Sequence, residues 1–146
     1  MLALALFACT GGSDDGSADS GHHHHGGDTA TWDTTTSADT DGGLFHVTYT
    51  TDPDPIVESE EFAITFEVYD PADVSTMLTD ATLSADGWMP AHGHGMNVTP
   101  VASQNKDGSW TVAPFQFHMT GHWEIPVEVT RGGDTDTLTF HVDCCG

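Results

Sequence analysis

Basic residues are almost absent from this chain of 146 residues. Lys106 and Arg131 stand against 23 Asp and Glu residues, and the formal net charge is -21 with neutral histidines. Nucleic acids and anionic lipid surfaces are therefore poor partners, because phosphate binding draws its affinity from Lys and Arg. Cations are the natural ligands of such a chain, although an acidic surface also serves simply to keep an exported protein soluble.

Sequence patterns of catalysis are lacking as well. The chain contains no glycine-rich loop that would cradle a phosphate, no nucleophile elbow, and no cysteine with a convincing base partner. Asp70 and Asp73 lack the ligand spacing of a calcium loop. We therefore expect a binding or interaction protein and not an enzyme.

Cysteine is scarce, and Cys9 is the most informative of the three. It ends an apolar run, residues 1–9, which is far too short to span a bilayer and is typical of the end of a signal peptide. Residues 6–9 resemble the bacterial lipobox, in which a small residue precedes the cysteine that is lipidated. No Lys or Arg precedes the run, so a leader cleaved beyond Cys9 or an incorrect start is the alternative. We predict lipidation of Cys9 and anchoring in the cell envelope, facing the periplasm or the exterior.

Large apolar side chains are missing from residues 10–42, with the exception of Trp32. Such a segment cannot bury enough surface to offset the entropy lost on ordering. It is predicted to be a disordered acidic linker that leads to one compact domain at residues 43–146. Four consecutive histidines at residues 22–25 form a loose transition-metal site, a low-complexity repeat or an introduced tag.

Alternating apolar residues predict β-strands throughout residues 43–146. In the clearest strand, residues 61–69, every second side chain from Phe62 to Val68 is apolar. Further strands are predicted at residues 44–50, 81–86, 97–104, 109–119, 122–130 and 135–143. About seven short strands without a helical period predict an all-β, immunoglobulin-like two-sheet β-sandwich.

Proline and glycine place the connections between these strands. Residues 70–80 are predicted as a connection, residues 88–96 as a Gly- and His-rich loop, and residues 131–134 as a hairpin turn. Pro114 is expected to shift the register of its strand, and Pro126 to lie at an edge or an exposed position.

Histidine and methionine occur together in the Gly-rich loop. His92 and His94 are two residues apart, so in an extended segment both rings project to one side and can approach one ion. Glycines on either side of His94 give the backbone freedom for that approach. Met96 adds a thioether, and neutral imidazole combined with thioether suits copper, Cu(I) in particular.

His118, Met119 and His122 form a second group of candidate metal ligands. Adjacent residues of a strand face opposite sides of the sheet, so His118 and Met119 cannot reach one ion without a bulge. Met119 belongs to the core if it continues the apolar face of its strand. In the alternative interpretation, the histidines and methionines of both groups pack on neighbouring tryptophans or lie at the surface.

Cys144 and Cys145 are neighbours near the end of the chain. Adjacent cysteines can close only a strained ring, so we do not expect a structural disulfide. Soft-metal binding and pairing with another chain are open, and a frayed tail without a role is the default expectation.

The order of these motifs resembles the YtkA-like family, which is related to FixH-type proteins of bacterial envelopes. The resemblance spans residues 44–143 and is carried by Met89-Pro90, His92-Gly-His94-Gly, Gly108 and Phe117-x-Met119-x-Gly121-x-Trp123. It implies an exported or membrane-anchored β-sandwich domain, linked in some members to copper handling or oxidase assembly. It supports His92, His94 and Met119, whereas His118 and His122 are not part of the family pattern.

These patterns lead to a hypothesis and one alternative. The protein is expected to be lipid-anchored and to bind copper through a His/Met loop, for envelope metal handling or oxidase assembly with an envelope protein partner. The alternative is a structural or protein-interaction module of the envelope that binds no metal.

Overall fold

The computed structural model describes residues 31–145. Cys9, the predicted end of a signal peptide and the histidines at residues 22–25 lie outside this part of the chain. No helix among the described residues is long and apolar enough to cross a membrane.

Two antiparallel sheets make up residues 31–145. The strands of the six-stranded sheet are β1 (Ser37–Asp39), β2 (His46–Asp52), β3 (Phe62–Asp70), β4 (Asp73–Met77), β8 (Val101–Gln104) and β9 (Trp110–Phe115). Those of the five-stranded sheet are β5 (Thr82–Ala85), β6 (Trp88–Met89), β7 (His94–Gly95), β10 (Gly121–Arg131) and β11 (Asp134–Cys144). The first sheet has the order β1-β2-β3-β9-β8 with β4 beside β3, and the second has β11-β10-β6-β7 with β5 beside β10.

The core lies between the inner faces of the two sheets. Alternate residues are buried along β3, and along β10 from Trp123 to Val129. Tyr49 of β2 meets Phe140 of β11 edge to face at 4.8 Å between ring centroids. The predicted all-β, immunoglobulin-like two-sheet sandwich is therefore confirmed, with eleven strands in residues 31–145 instead of about seven.

The additional strands are short and lie in segments without clear alternation. Residues 70–80 contain β4, which pairs with the end of β3, so the prediction of a plain connection there is wrong. Residues 88–96 contain the β6–β7 hairpin instead of an irregular loop. Strands of two to five residues bury few side chains, so they leave little apolar periodicity in the sequence.

Two prolines mark irregularities in the sheets. Opposite Ala63 of β3, strand β9 fits two residues, Ala113 and Pro114, which is the predicted register shift. The strand then ends at Phe115, earlier than the predicted residue 119. Pro126 is exposed as expected, but it lies in a central strand. It falls between the residue of β10 that pairs with β6 and the residues that pair with β5.

The carboxyl-terminal cysteines are part of the fold. Cys144 is the last residue of β11, is buried, and pairs in register with Gly121. A disulfide joins it to Cys145, so the expectation that these neighbours would not form one is wrong. The expected frayed tail is wrong for Cys144, because β11 stays paired with β10 to its final residue.

The folded part of the chain begins before residue 43. Strand β1, within the range predicted as linker, pairs with β2, and Thr40 after it is buried. The Asp136 carboxylate accepts hydrogen bonds from the Thr40 hydroxyl at 2.6 Å and from the amides of Gly42 and Leu44 at 3.0 and 3.2 Å. Pairing with β2 and polar contacts to one distant acid hold this segment, and composition alone does not reveal either.

Asp136→Asn is expected to destabilise the protein at neutral pH and to flatten its acid response. The hydrogen bond from Thr40, with those from Leu44 and Gly42, outweighs desolvation and lowers the pKa of Asp136 from 3.8 to about 2. The resulting stabilisation is present above pH 3.8 and is lost as the pH falls through about 2. The measurement is the urea midpoint between pH 2 and pH 7. Asp134→Asn, at the exposed start of the same strand, is the control, and an equal response of the two variants would contradict the assignment.

Candidate metal-binding sites

The β6–β7 hairpin positions the first group of histidines. Met89 of β6 is buried, and its carbonyl oxygen accepts hydrogen bonds from the amides of His92 and Gly93 at 3.2 and 2.9 Å. Gly93 has a φ of +67°, a conformation that side chains disfavour. The tight turn places His94 opposite Met89 in the ladder and leaves His92 exposed beside it.

Three imidazoles meet at this hairpin. The ring centroids of His92 and His94 are 5.7 Å apart, and those of His94 and His118 are 5.1 Å apart with nearly parallel planes. His94 and His118 also meet the ring of Trp123 edge to face, at 6.2 and 5.5 Å. We call His92, His94 and His118 the hairpin cluster.

Hydrogen bonds show which ring nitrogens of the hairpin cluster are free. Nδ1 of His94 lies 2.9 Å from the carbonyl oxygen of Gly95 and must donate to it, so Nε2 carries the lone pair of the neutral ring. Nδ1 of His118 is buried and has no hydrogen-bond partner among residues 31–145. A backbone carbonyl that fixes the tautomer of a histidine is a common support for metal ligation.

The two predicted thioether ligands lie beside the core. Met96 is half-buried, and its sulfur accepts the amide of Gln116 at 3.3 Å. It occupies space that Gly87 leaves open, since a Cβ on Gly87 would lie 2.8 Å from the sulfur. Met119 is half-buried against the core, and its carbonyl oxygen accepts the indole N–H of Trp123 at 2.9 Å.

His122 lies on another face of the sheet. It alternates with the buried Trp123 along β10, so it points outward together with Glu124. Nε2 of His122 is 2.9 Å from Nδ1 of His141 on β11. Ligand atoms of His122, Glu124 and His141 all lie within 4.8 Å of one another. We call these three residues the outer-sheet cluster.

The outer-sheet cluster is the tighter of the two groups. Among residues 31–145, it is the only set of three His, Cys, Asp or Glu residues whose ligand atoms all lie within 4.8 Å of one another. Trp32 covers it, stacking on His122 at 4.0 Å between centroids and on His141 at 5.2 Å. Burial, and then the proximity of His141, lower the pKa of His122, against the opposing effect of Glu124 and Asp143.

The sequence analysis grouped His122 with His118 and Met119, and it missed Glu124, His141 and Trp32. A signal for two of them was present. The hairpin turn at residues 131–134 sets the register of β10 against β11, and counting back from it pairs Glu124 with His141. Trp32 is contributed by a segment without regular structure, and no pattern connects it to the strands.

Fold and clusters together define a small β-sandwich domain with imidazole groups on both faces of one sheet. A family model described as YtkA-like matches residues 45–128. The chain therefore belongs to the YtkA-like family, as its sequence motifs predicted. No curated protein matches the chain.

Two solved structures resemble the domain. One is a DUF4426 family protein from Pseudomonas aeruginosa PAO1, with 11% identity and a TM-score of 0.51 over 70% of this chain and 91% of the other. Another is FetP from uropathogenic E. coli strain F11, with 7% identity and a TM-score of 0.51 over 77% of this chain and 95% of FetP. Identities this low show a shared fold alone.

His118→Leu is expected to preserve or raise the stability of the metal-free protein. It removes a buried nitrogen that has no hydrogen-bond partner in the described part of the chain, and such a group costs about 1–3 kcal/mol. Phe117→Leu, at the fully buried neighbour, should instead lower the free energy of unfolding by about 1–3 kcal/mol. Urea denaturation in the presence of a chelator measures both. A loss for His118→Leu as large as that for Phe117→Leu would show that the imidazole serves packing.

Proposed function

We propose that this protein is a lipid-anchored binding protein of the cell envelope, and not an enzyme, that holds a copper ion at the hairpin cluster. Its role is metal handling or oxidase assembly, in which the ion passes to or from an envelope protein partner. Cys9 is the anchor, and residues after it form the tether that leads to the sandwich.

The buried Nδ1 of His118 is the observation that carries the proposal. A buried polar atom without a partner is costly and uncommon, and such an atom within a group of imidazoles fits a ligand position. His94 supports the same interpretation, since its tautomer directs the lone pair to Nε2. Both rings are held against Trp123, so the core fixes their positions.

Copper is favoured by the chemistry of the donors. Thioether sulfur selects Cu(I) over harder ions, and imidazole binds copper well. Met96 and Met119 lie in the same chain segments as the histidines of the hairpin cluster. His92 is the exposed member of that cluster. The strongly acidic chain raises the local concentration of any cation without selecting among them.

An envelope location rests on Cys9 and on membership of the YtkA-like family. FetP, which shares the fold, was expressed recombinantly in the periplasm. The lack of basic residues fits anchoring through a lipid chain better than electrostatic attachment to anionic headgroups.

The double variant His92→Ala, His94→Ala is expected to lower Cu(I) affinity by at least about tenfold, because it removes two of the three imidazoles. The full chain should carry Ser in place of the four histidines at residues 22–25, so that they do not bind the ion. Competition with a chromophoric Cu(I) chelator under ascorbate measures the affinity.

His46→Ala is the matched control, because His46 is a half-buried imidazole of the other sheet. It should leave Cu(I) affinity unchanged. Equal affinities of the parent chain and the double variant would refute copper binding at the hairpin and favour an interaction module that binds no metal.

A further inference from the structure

We propose that the outer-sheet cluster is a second metal site, which binds a divalent transition-metal ion through His122, His141 and Glu124 beneath the indole of Trp32. The site is separate from the hairpin cluster and does not depend on the function proposed for it.

The contact between the two imidazoles is the first step. Nε2 of His122 and Nδ1 of His141 are 2.9 Å apart, and one of them must donate a proton to the lone pair of the other. Both nitrogens therefore point toward one region of space. An ion bonded to each nitrogen at about 2.0–2.1 Å can take the place of that proton once the two rings turn or move apart.

Glu124 supplies the third donor and a negative charge. It lies two residues from His122 on the same face of β10, and it is in register with His141 on β11. Asp143 is in register with His122 and adds a second carboxylate at the rim. Two imidazole nitrogens and one carboxylate oxygen suit Cu(II), Zn(II) or Ni(II), whereas Cu(I) prefers sulfur.

The strands hold these donors in place before any ion binds. β10 and β11 pair continuously from Gly121 and Cys144 to the turn. Ligands on a rigid two-stranded ladder lose little conformational freedom on binding. Trp32 covers His122 with its plane only 5° from that of the imidazole, which shields one side of the cluster from water.

The two clusters use different faces of the same strand. Trp123 points inward and contacts His94 and His118, whereas His122 and Glu124, on either side of it, point outward. One ion cannot join the two groups without reversing the alternation of β10. The outer-sheet cluster therefore binds its ion independently.

The test is Cu(II) binding by the full chain, with Ser at the four histidine positions 22–25 and without reductant. Calorimetry gives the affinity, and electron paramagnetic resonance counts the bound nitrogens. His141→Ala and Glu124→Gln should each weaken binding at the outer-sheet cluster by at least about tenfold, and His141→Ala should remove one imidazole nitrogen from the spectrum. Trp32→Ala should weaken binding, and Trp32→Phe should restore it.

Three controls separate the possible outcomes. His46→Ala should leave the Cu(II) site unchanged, and so should the double variant His92→Ala, His94→Ala. His141→Ala should leave Cu(I) affinity at the hairpin cluster unchanged. Thermal unfolding without metal should confirm that His141→Ala is folded. Unchanged Cu(II) affinity and spectrum in His141→Ala would overturn the proposal, and so would loss of this site in the hairpin double variant.

Discussion

Strands β10 and β11 pair residue for residue from Gly121 and Cys144 to Arg131 and Asp134. The turn that closes this ladder has two residues with positive φ, Gly132 and Gly133, which is the geometry of a tight two-residue hairpin. Because side chains alternate along a strand, this register decides which residues enter the core and which face solvent. A slip by one residue would bring His122 inward and Trp123 outward, and would dismantle both clusters at once.

Trp123 connects the β10–β11 ladder to the β6–β7 hairpin, because it belongs to β10 and contacts His94. It is fully buried, stacks on Phe117 at 4.6 Å, and donates its indole N–H to the carbonyl oxygen of Met119. Gly121 has a φ of +120°, and a Cβ added there would lie 3.2 Å from the terminal methyl group of Met89, the buried residue of β6. The Met-x-Gly-x-Trp motif therefore has a structural reason: it seats the hairpin, and with it the histidines, against the core.

The sequence could predict those features that burial makes periodic. Phe62 to Val68 alternate because β3 is buried on one face, and the glycine pair after Arg131 is a strong hairpin pattern. Short edge strands such as β4 lack that periodicity. Residues 37–44 are attached through pairing with β2 and through Asp136, which lies far away in the chain. The same limit applies to the sites. His92 and His94 are visible as a local motif, whereas the outer-sheet cluster exists only once β11 returns beside β10.

Two groups of donors with different chemical character thus lie on opposite sides of one strand. The hairpin cluster has imidazoles on segments that also carry thioethers, which suits a soft ion, and the outer-sheet cluster joins imidazoles to a carboxylate, which suits a harder one. The excess of acidic residues attracts cations of every kind, so it does not select an ion for either cluster. Selectivity has to come from the donor atoms and their spacing. The alternation of β10 supplies that spacing, because it keeps the sulfur-bearing segments on the side of Trp123 and Glu124 on the side of His122.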